Sequence, residues 1–509
     1  MSFLKSRVRF NYIEKIATCF IFYILVLFPL MYGPKHYADI TEMKFLIFKN
    51  STYIYAGICF VCLITYALIK RTHVYELRKE EFPFSITVTQ IAAVCYLIWT
   101  FISSFACNFS MKQTKLGFGR FEGWLSVILY TIVFITLSFW GEYKDSLPKL
   151  IAGSVIIFSY IGIFQFFKDG IIYPKGYTFW DARFVSTLGN VDMVGGYVAM
   201  MIPVLFCTYV LIDEKKWGYL YLVAIALLNF IFLMSDVDSG KVGLLVGLVF
   251  AIIFLVDEEE KIKKFLIAFG TLCASAFLRF FFNLSKAGFN INFGKKTLFF
   301  FILSALFFTA YYFLDKKGFK LPFGKDLMHK YSLITLGGLI FLVLVFVFFY
   351  RGSNQLLKEA SELLHFKLSD GAGSGRGYIW KTSLKLAAKS PFFGYGPGSF
   401  GEIYKTYDIL TTYTDFAHND FIQIAMCTGF VGVELYLFFC ISLLVRAWKY
   451  MSDNKYIVIF ATACVSYLVH SFFSFSIAII TPPFWVMAGL LDSLIRREKQ
   501  SRINDNKNI

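Results

Sequence analysis

Charge is what this chain has least of for its length. Charged residues make up 17 % of 509 positions, against roughly a quarter in an ordinary soluble domain. Set beside 57 % hydrophobic and 20 % aromatic content, that deficit excludes a soluble globular protein. Histidine is scarce too, at six residues. None of them stands in H-x-x-x-H or H-E-x-x-H spacing, so a zinc cluster has no support and no metal is expected. No G-x-x-x-x-G-K-[ST] string is present: Gly240-Lys241 lacks the upstream glycine, which removes P-loop nucleotide chemistry. The ten cysteines lie scattered, nearly all inside apolar runs. Even the C-x-x-C at Cys59 and Cys62 sits within such a run, where small buried hydrophobes are a better reading than a redox pair. No small-residue cleavage site follows the first apolar run, which reads as a retained helix and not as a signal peptide.

What fills the chain is repeated apolar stretches of about 18–25 residues, the length a helix needs to cross a bilayer. They are continuous and do not alternate, so a transmembrane β-barrel is excluded. The fold class expected is all-α, a polytopic integral membrane protein of about 12–14 transmembrane helices. Spans are expected near 17–33, 52–69, 84–106, 123–140, 150–167, 193–212, 217–234, 241–256, 265–283, 297–314, 331–350, 421–445, 456–472 and 477–495. The organisation that follows is 1–350 as the first set of spans, 351–420 as a large loop, 421–495 as the last spans and 496–509 as a charged, disordered tail.

A net charge of +16 suggests nucleic acid in a soluble protein. Here it is better explained by loops held against anionic lipid, so membrane lipids and not nucleic acid are the expected partners. With the N-terminus in the cytoplasm, the larger share of Lys and Arg falls on cytoplasmic segments such as MSFLKSRVRFNYIEK and the tail RREKQSR, as the positive-inside rule asks. Both termini are then cytoplasmic. Three polar stretches, 169–192, 235–241 and 351–420, fall together on the outer face, which points to one site facing away from the cytoplasm.

The large loop carries helical periodicity over 376–389, with Ile379, Trp380, Ser383, Leu384 and Ala387 on one face and Lys381, Lys385 and Lys389 in a stripe. Such an amphipathic helix suits the membrane interface. Ser374 is the expected N-cap and Pro391 ends the segment. Arg376 then stands in the first turn, where the helix dipole disfavours a cation. A bound anion such as a diphosphate explains it, and so does a partner carboxylate. GYGPGSF (394–400) contains G-x-G-x-G but is interrupted by Pro397 and follows no strand, so it is not a dinucleotide fingerprint. His418-Asn419-Asp420 precedes a span. Asn419 and Asp420 suit an N-cap. His418, at a helix N-terminus that disfavours imidazolium, reads either as a neutral general base or as a structural histidine. Arg183, ahead of the Gly189-Asn190 turn and Asp192, is a second anion-site candidate. Lys241, opening the eighth span, reads either as a third or as a lysine snorkelling to lipid phosphate.

These residues resemble the O-antigen ligase / O-antigen polymerase superfamily, which includes bacterial protein O-oligosaccharyltransferases. The resemblance runs over about 180–432. Its most specific part is the string Arg376, Trp380, Pro391, Gly394, Gly396, Pro397, Gly398, Phe400, Ala417, His418, Asn419, Asp420, Gln423, Gly429 and Gly432. The turn Gly189, Asn190, Asp192 after Arg183 matches as well. There are departures: Ser239-Gly240-Lys241 stands where the family often has Ser-Arg-Gly, and Cys427 where it often has Glu. The resemblance implies a membrane-embedded inverting glycosyltransferase of surface polysaccharide assembly, in the bacterial cytoplasmic membrane, with its site on the extracytoplasmic face. The implied donor is a glycan on undecaprenyl diphosphate, and the acceptor a hydroxyl on a lipid, glycan or protein. No cofactor is needed. His418, Arg376 and Arg183 are the implied catalytic residues; Lys241, Asn190, Trp380, Gly396, Gly398, Asn419 and Asp420 are the implied substrate-binding ones. The other reading is a transporter or flippase of lipid-linked glycan, in which the arginines bind diphosphate without chemistry. Against it, the sequence shows no intramembrane charge relay and no repeat symmetry.

Overall fold

The computed structural model describes residues 2–35, 37–72, 86–167, 185–285, 288–316, 318, 324–353, 355–365, 367, 369–407 and 414–507. The chain opens with α1 (Ser2–Phe22), α2 (Ile40–Thr72), α3 (Val88–Ala106), the short α4 (Met111–Leu116), α5 (Trp124–Trp140) and α6 (Leu147–Phe167). It continues through α7 (Val191–Leu211), α8 (Lys215–Ser235), α9 (Asp238–Leu255) and α10 (Glu259–Phe281). A two-stranded antiparallel hairpin, β1 (Phe282–Ser285) and β2 (Gly288–Ile291), leads to α11 (Lys295–Lys316) and α12 (Lys325–Phe348). The remainder is α13 (Gln355–Leu364), α14 (Ala372–Lys389), α15 (Phe400–Tyr407), α16 (Asp420–Trp448), α17 (Lys455–Phe472) and α18 (Thr481–Lys507).

Twelve of the described helices are long and apolar enough to cross a membrane, and the protein is an all-α polytopic membrane protein. The helix α5 is equally apolar but has only 17 residues. The fourteenth expected span falls on the N-terminal half of α18, where Phe484 to Leu491 is buried.

Hydropathy does not say which helix is central; the packing does. The span of α7 is 94 % buried, whereas those of α11 and α12 are 11 % and 6 % buried. The inner helix can be wrapped by α8, α9, α10 and α17 because glycines let backbones approach: Gly240 of α9 faces the Gly195 backbone, and Gly243 of α9 faces Ser466 and His470 of α17. The peripheral helices turn large apolar side chains such as Phe341 and Leu342 outward, as lipid contact requires.

The first span loosens near its end into a π turn (Tyr23–Leu27) and a 3-10 turn (Phe28–Leu30). Pro29 has no N–H to continue the helix. The carbonyls left over are taken by the buried Lys44, whose Nζ donates to Phe28 O at 2.6 Å and Pro29 O at 3.0 Å, and by Thr187 Oγ1, which donates to Pro29 O at 2.6 Å.

Two expectations are corrected. Residues 496–507 are not a disordered tail; they extend α18 as helix. A helix already nucleated in the bilayer propagates cheaply through good helix formers. Here Glu498 accepts from Asn454 Nδ2 at 3.0 Å and Arg502 pairs with Asp453. Nor does the amphipathic helix of the large loop lie with its apolar face on lipid. Ile379, Trp380, Leu386 and Ala387 of α14 pack with Phe400, Tyr404, Ala417, Ala425, Met426 and Cys427 in a second, smaller core.

That core is stitched by backbone. The helix α16 breaks at Gly429 (φ +77), and the segment 391–396 lies against the break. Phe430 N donates to Pro391 O at 2.7 Å, Tyr395 N to Met426 O at 3.0 Å and Gly396 N to Cys427 O at 2.8 Å. A Cβ on Gly429 would stand 1.9 Å from Phe392 O, which is backbone and cannot swing away. We expect Gly429→Ala to lower the detergent melting temperature, by more than the roughly 1–2 kcal/mol that left-handed backbone alone costs. An unchanged melting temperature would refute this stacking.

Candidate functional site

The His418 backbone is turned out of the helix path. Asn419 caps α16, its side chain accepting from Ile422 N at 3.0 Å, and the residue before it takes φ +49. Left-handed backbone is uncommon for a residue with a side chain, though histidine tolerates it better than most. The ring packs edge-on against Phe475 with centroids 5.1 Å apart. Its Nδ1 is enclosed and has no hydrogen-bond partner among the described residues. Burial, and then the Arg376 guanidinium, lower its pKa to about 4. The ring is therefore neutral at pH 7, from burial and a neighbouring cation, where the sequence pointed to the helix dipole.

Arg376 reaches this place because α14 begins irregularly. Gly373 (φ +59) and Gly375 (φ +96) are left-handed, so regular right-handed helix starts at Arg376. The N-cap is Gly371; Ser374, expected there, lies inside the irregular turn. The half-buried guanidinium donates from Nη1 to Phe473 O at 2.8 Å, and its Nη2 lies 4.0 Å from Asp192 Oδ1. One of five N–H donors goes to the carbonyl, and one loose carboxylate stands opposite.

Asp192 lies in the first turn of α7, whose cap is Asn190, accepting from Asp192 N at 2.8 Å. The neighbouring α9 begins beside it through the Gly195–Gly240 approach, and Ser239 Oγ is enclosed there without a partner among the described residues. Lys241 lies on this segment and binds Asp236 at 2.7 Å and Asp238 at 2.8 Å. The three polar stretches expected to coincide thus contribute Asn190 and Asp192, Asp236 to Lys241, and Arg376 with His418 to one end of the bundle. Arg183 falls outside the described residues.

The other expected binding residues have protein partners. Trp380 is buried, and its indole N–H donates to Ala417 O at 2.9 Å. The Asp420 carboxylate accepts from Ser476 N at 2.7 Å and from the Ser476 hydroxyl. Gly396 and Gly398, both at positive φ, press on Cys107 and on the Gly117 backbone.

Two residues that sequence reasoning missed hold the His418 loop from the segment between α4 and α5. Arg120 pairs with Asp415 at 2.5 Å and lies 5.1 Å over the Phe416 ring. Glu122 Oε2 accepts from Gln423 Nε2 at 2.5 Å, and Gln423 Oε1 accepts from Ala417 N at 3.1 Å. Burial, and then Asp420, push the Glu122 carboxyl well above its ordinary value. The legible signal was two charges, R-F-E, in a short connection on the same side as the loop. Glu122→Ala leaves the Gln423 amide without its acceptor, and we expect a tenfold to hundredfold loss of turnover, the order seen when a catalytic group is misplaced by about 1 Å. Glu122→Gln, neutral and of the same shape, should keep most of it. Equal losses in the two variants would refute the clamp.

This end of the bundle is opposite the termini. The helix α3 runs from Val88 to the Ser103 contact with Phe393, α16 runs from Asp420 away to Trp448, and Arg497 of α18 meets Glu14 of α1 at 3.1 Å. A multi-pass membrane protein with a neutral histidine and an arginine at the end remote from its termini is the class this defines. Residues 294–437 match the family model described as O-antigen ligase. The resemblance read from the sequence holds over that stretch, which includes Arg376, Trp380, the Gly-Pro-Gly turn and His418, and it supports a membrane glycosyltransferase role in polysaccharide assembly. Asn190, Lys241, Arg120 and Glu122 lie before it. No curated protein matches the chain.

Proposed function

We propose that the protein transfers a glycan from undecaprenyl diphosphate to an acceptor hydroxyl on the outer face of the bacterial cytoplasmic membrane, with its termini in the cytoplasm. The observation that carries this is the pairing of a neutral His418, its Nδ1 unpartnered among the described residues, with the Arg376 guanidinium inside the O-antigen ligase segment. The acceptor oxygen attacks the anomeric carbon as its proton passes to the imidazole. The bond from that carbon to the diphosphate oxygen breaks, and attack from the opposite side inverts the centre. Arg376, with Arg183, takes up the charge on the departing diphosphate. No nucleotide is needed, because the donor carries its own leaving group.

The test is a purified chain given glycan-loaded undecaprenyl diphosphate alone. A ladder of longer lipid-linked glycans identifies a polymerase, and product only after a second acceptor is added identifies a ligase. No product with lipid, glycan or protein acceptors defeats the transferase reading and favours a transporter of the lipid-linked glycan.

A further inference from the structure

At the end of the bundle that holds the termini, α1, α3, α5, α16 and α18 leave a cavity of about 740 Å³ between them. Its charged lining is lopsided. Arg446, Lys449, Arg496, Arg497 and Lys499 face it, and Glu14 is the one carboxylate among its lining residues. Glu14 is already paired with Arg497 at 3.1 Å, and Arg446 with the buried Asp492. Arg496 differs from both. Its guanidinium lies 4.3 Å over the Phe139 ring, and its Nη1 is enclosed with no hydrogen-bond partner among the described residues. Asp492 is shared between Arg446 and Arg496, one carboxylate for two guanidiniums. An enclosed cationic donor without an acceptor is costly, so this arrangement favours a further anion.

The mouth of the cavity says which kind. Ile86, Val88 and Ile503 line it and are 67 %, 43 % and 39 % exposed. A basic cup with an apolar lip matches a molecule that is anionic at one end and hydrocarbon at the other. A soluble anion has no use for the lip. Basic pockets between transmembrane helices on one leaflet are a known way of holding lipid headgroups.

We propose that this cavity binds the headgroup of an anionic phospholipid from the leaflet next to the chain termini, with Arg496 as the central contact and Lys449 at the rim. The site stands at the far end of the bundle from His418 and does not depend on the transferase reading.

The test is the full chain in nanodiscs of phosphatidylcholine doped with phosphatidylglycerol, with lipid retention after delipidation counted by native mass spectrometry. The wild type should retain one phosphatidylglycerol in preference to phosphatidylcholine. Arg496→Gln and Lys449→Gln should each weaken retention about fivefold, the order of one basic group at a lipid surface. Arg496→Lys should restore part of it. Lys449 is exposed, so its variant reports even where Arg496→Gln fails to fold. Equal retention by the Lys449→Gln chain, or equal competition by inorganic phosphate alone, would overturn the proposal, the second outcome marking a site for a free anion.

Discussion

Replacing His418 with alanine should reduce transfer by roughly a hundredfold to ten-thousandfold, the range of a general base, while the melting temperature changes little. Among the described residues the ring's aromatic contact is Phe475, so truncation removes one edge-on pair, and alanine keeps the left-handed backbone at φ +49. The pH profile is the sharper signature. Burial and Arg376 hold the imidazole pKa at about 4, so the base is free at every pH from mild acid upward. The acid limb of kcat/KM should therefore fall near pH 4, and not near the ordinary 6.5 of histidine. The same shift has a stability consequence. The folded state resists the proton that the unfolded chain accepts near 6.5, so stability drops as pH falls from 6.5 towards 4. His418→Ala should be less sensitive to acid over that window. An acid limb at 6.5 that survives in His418→Ala would show that another group is the base.

Arg376→Ala should lower kcat/KM by a hundredfold to a thousandfold, the usual loss when one group stabilising transition-state charge is removed. Arg376→Lys should recover little. A lysine is a point charge on a flexible stem, and it cannot keep the 2.8 Å bond to Phe473 O while also presenting a fork to a diphosphate. A second readout separates catalysis from packing. The guanidinium is one of the two causes that depress His418, burial being the larger. Its removal should move the acid limb upward by part of the distance to 6.5, while a merely structural loss would lower the rate at every pH alike. Asp192→Asn removes the carboxylate 4.0 Å away and serves as control; it should leave that limb in place. An Arg376→Lys chain with full activity would contradict the diphosphate role.

The helices were legible because lipid leaves little choice: each apolar run long enough to span does so as helix. The fourteen expected spans fall on α1–α3, α5–α12 and α16–α18. Hydropathy could not show that α7 is central, since its runs are no more apolar than those of α12; glycine contacts such as Gly195 with Gly240 decide that. Arg376 and His418 stood out in the sequence by their positions at the starts of helices, and the structure brings them to one end of the bundle. The causes were not legible. The Ser374 cap failed because two left-handed glycines at 373 and 375 reset where regular helix begins. Trp380 was implied as a substrate-binding residue, but its indole N–H donates to a carbonyl 37 residues away. Glu122 and Gln423 are 301 residues apart, a separation that no local pattern spans.

The most direct test of the transferase account is the release of free undecaprenyl diphosphate from glycan-loaded carrier by the purified chain, followed together with glycan appearing on acceptor. One carrier should be released per glycan transferred, with both lost in His418→Ala and in Arg376→Ala. Carrier that stays glycan-bound while crossing between leaflets, at equal rates in wild type and His418→Ala, would contradict it.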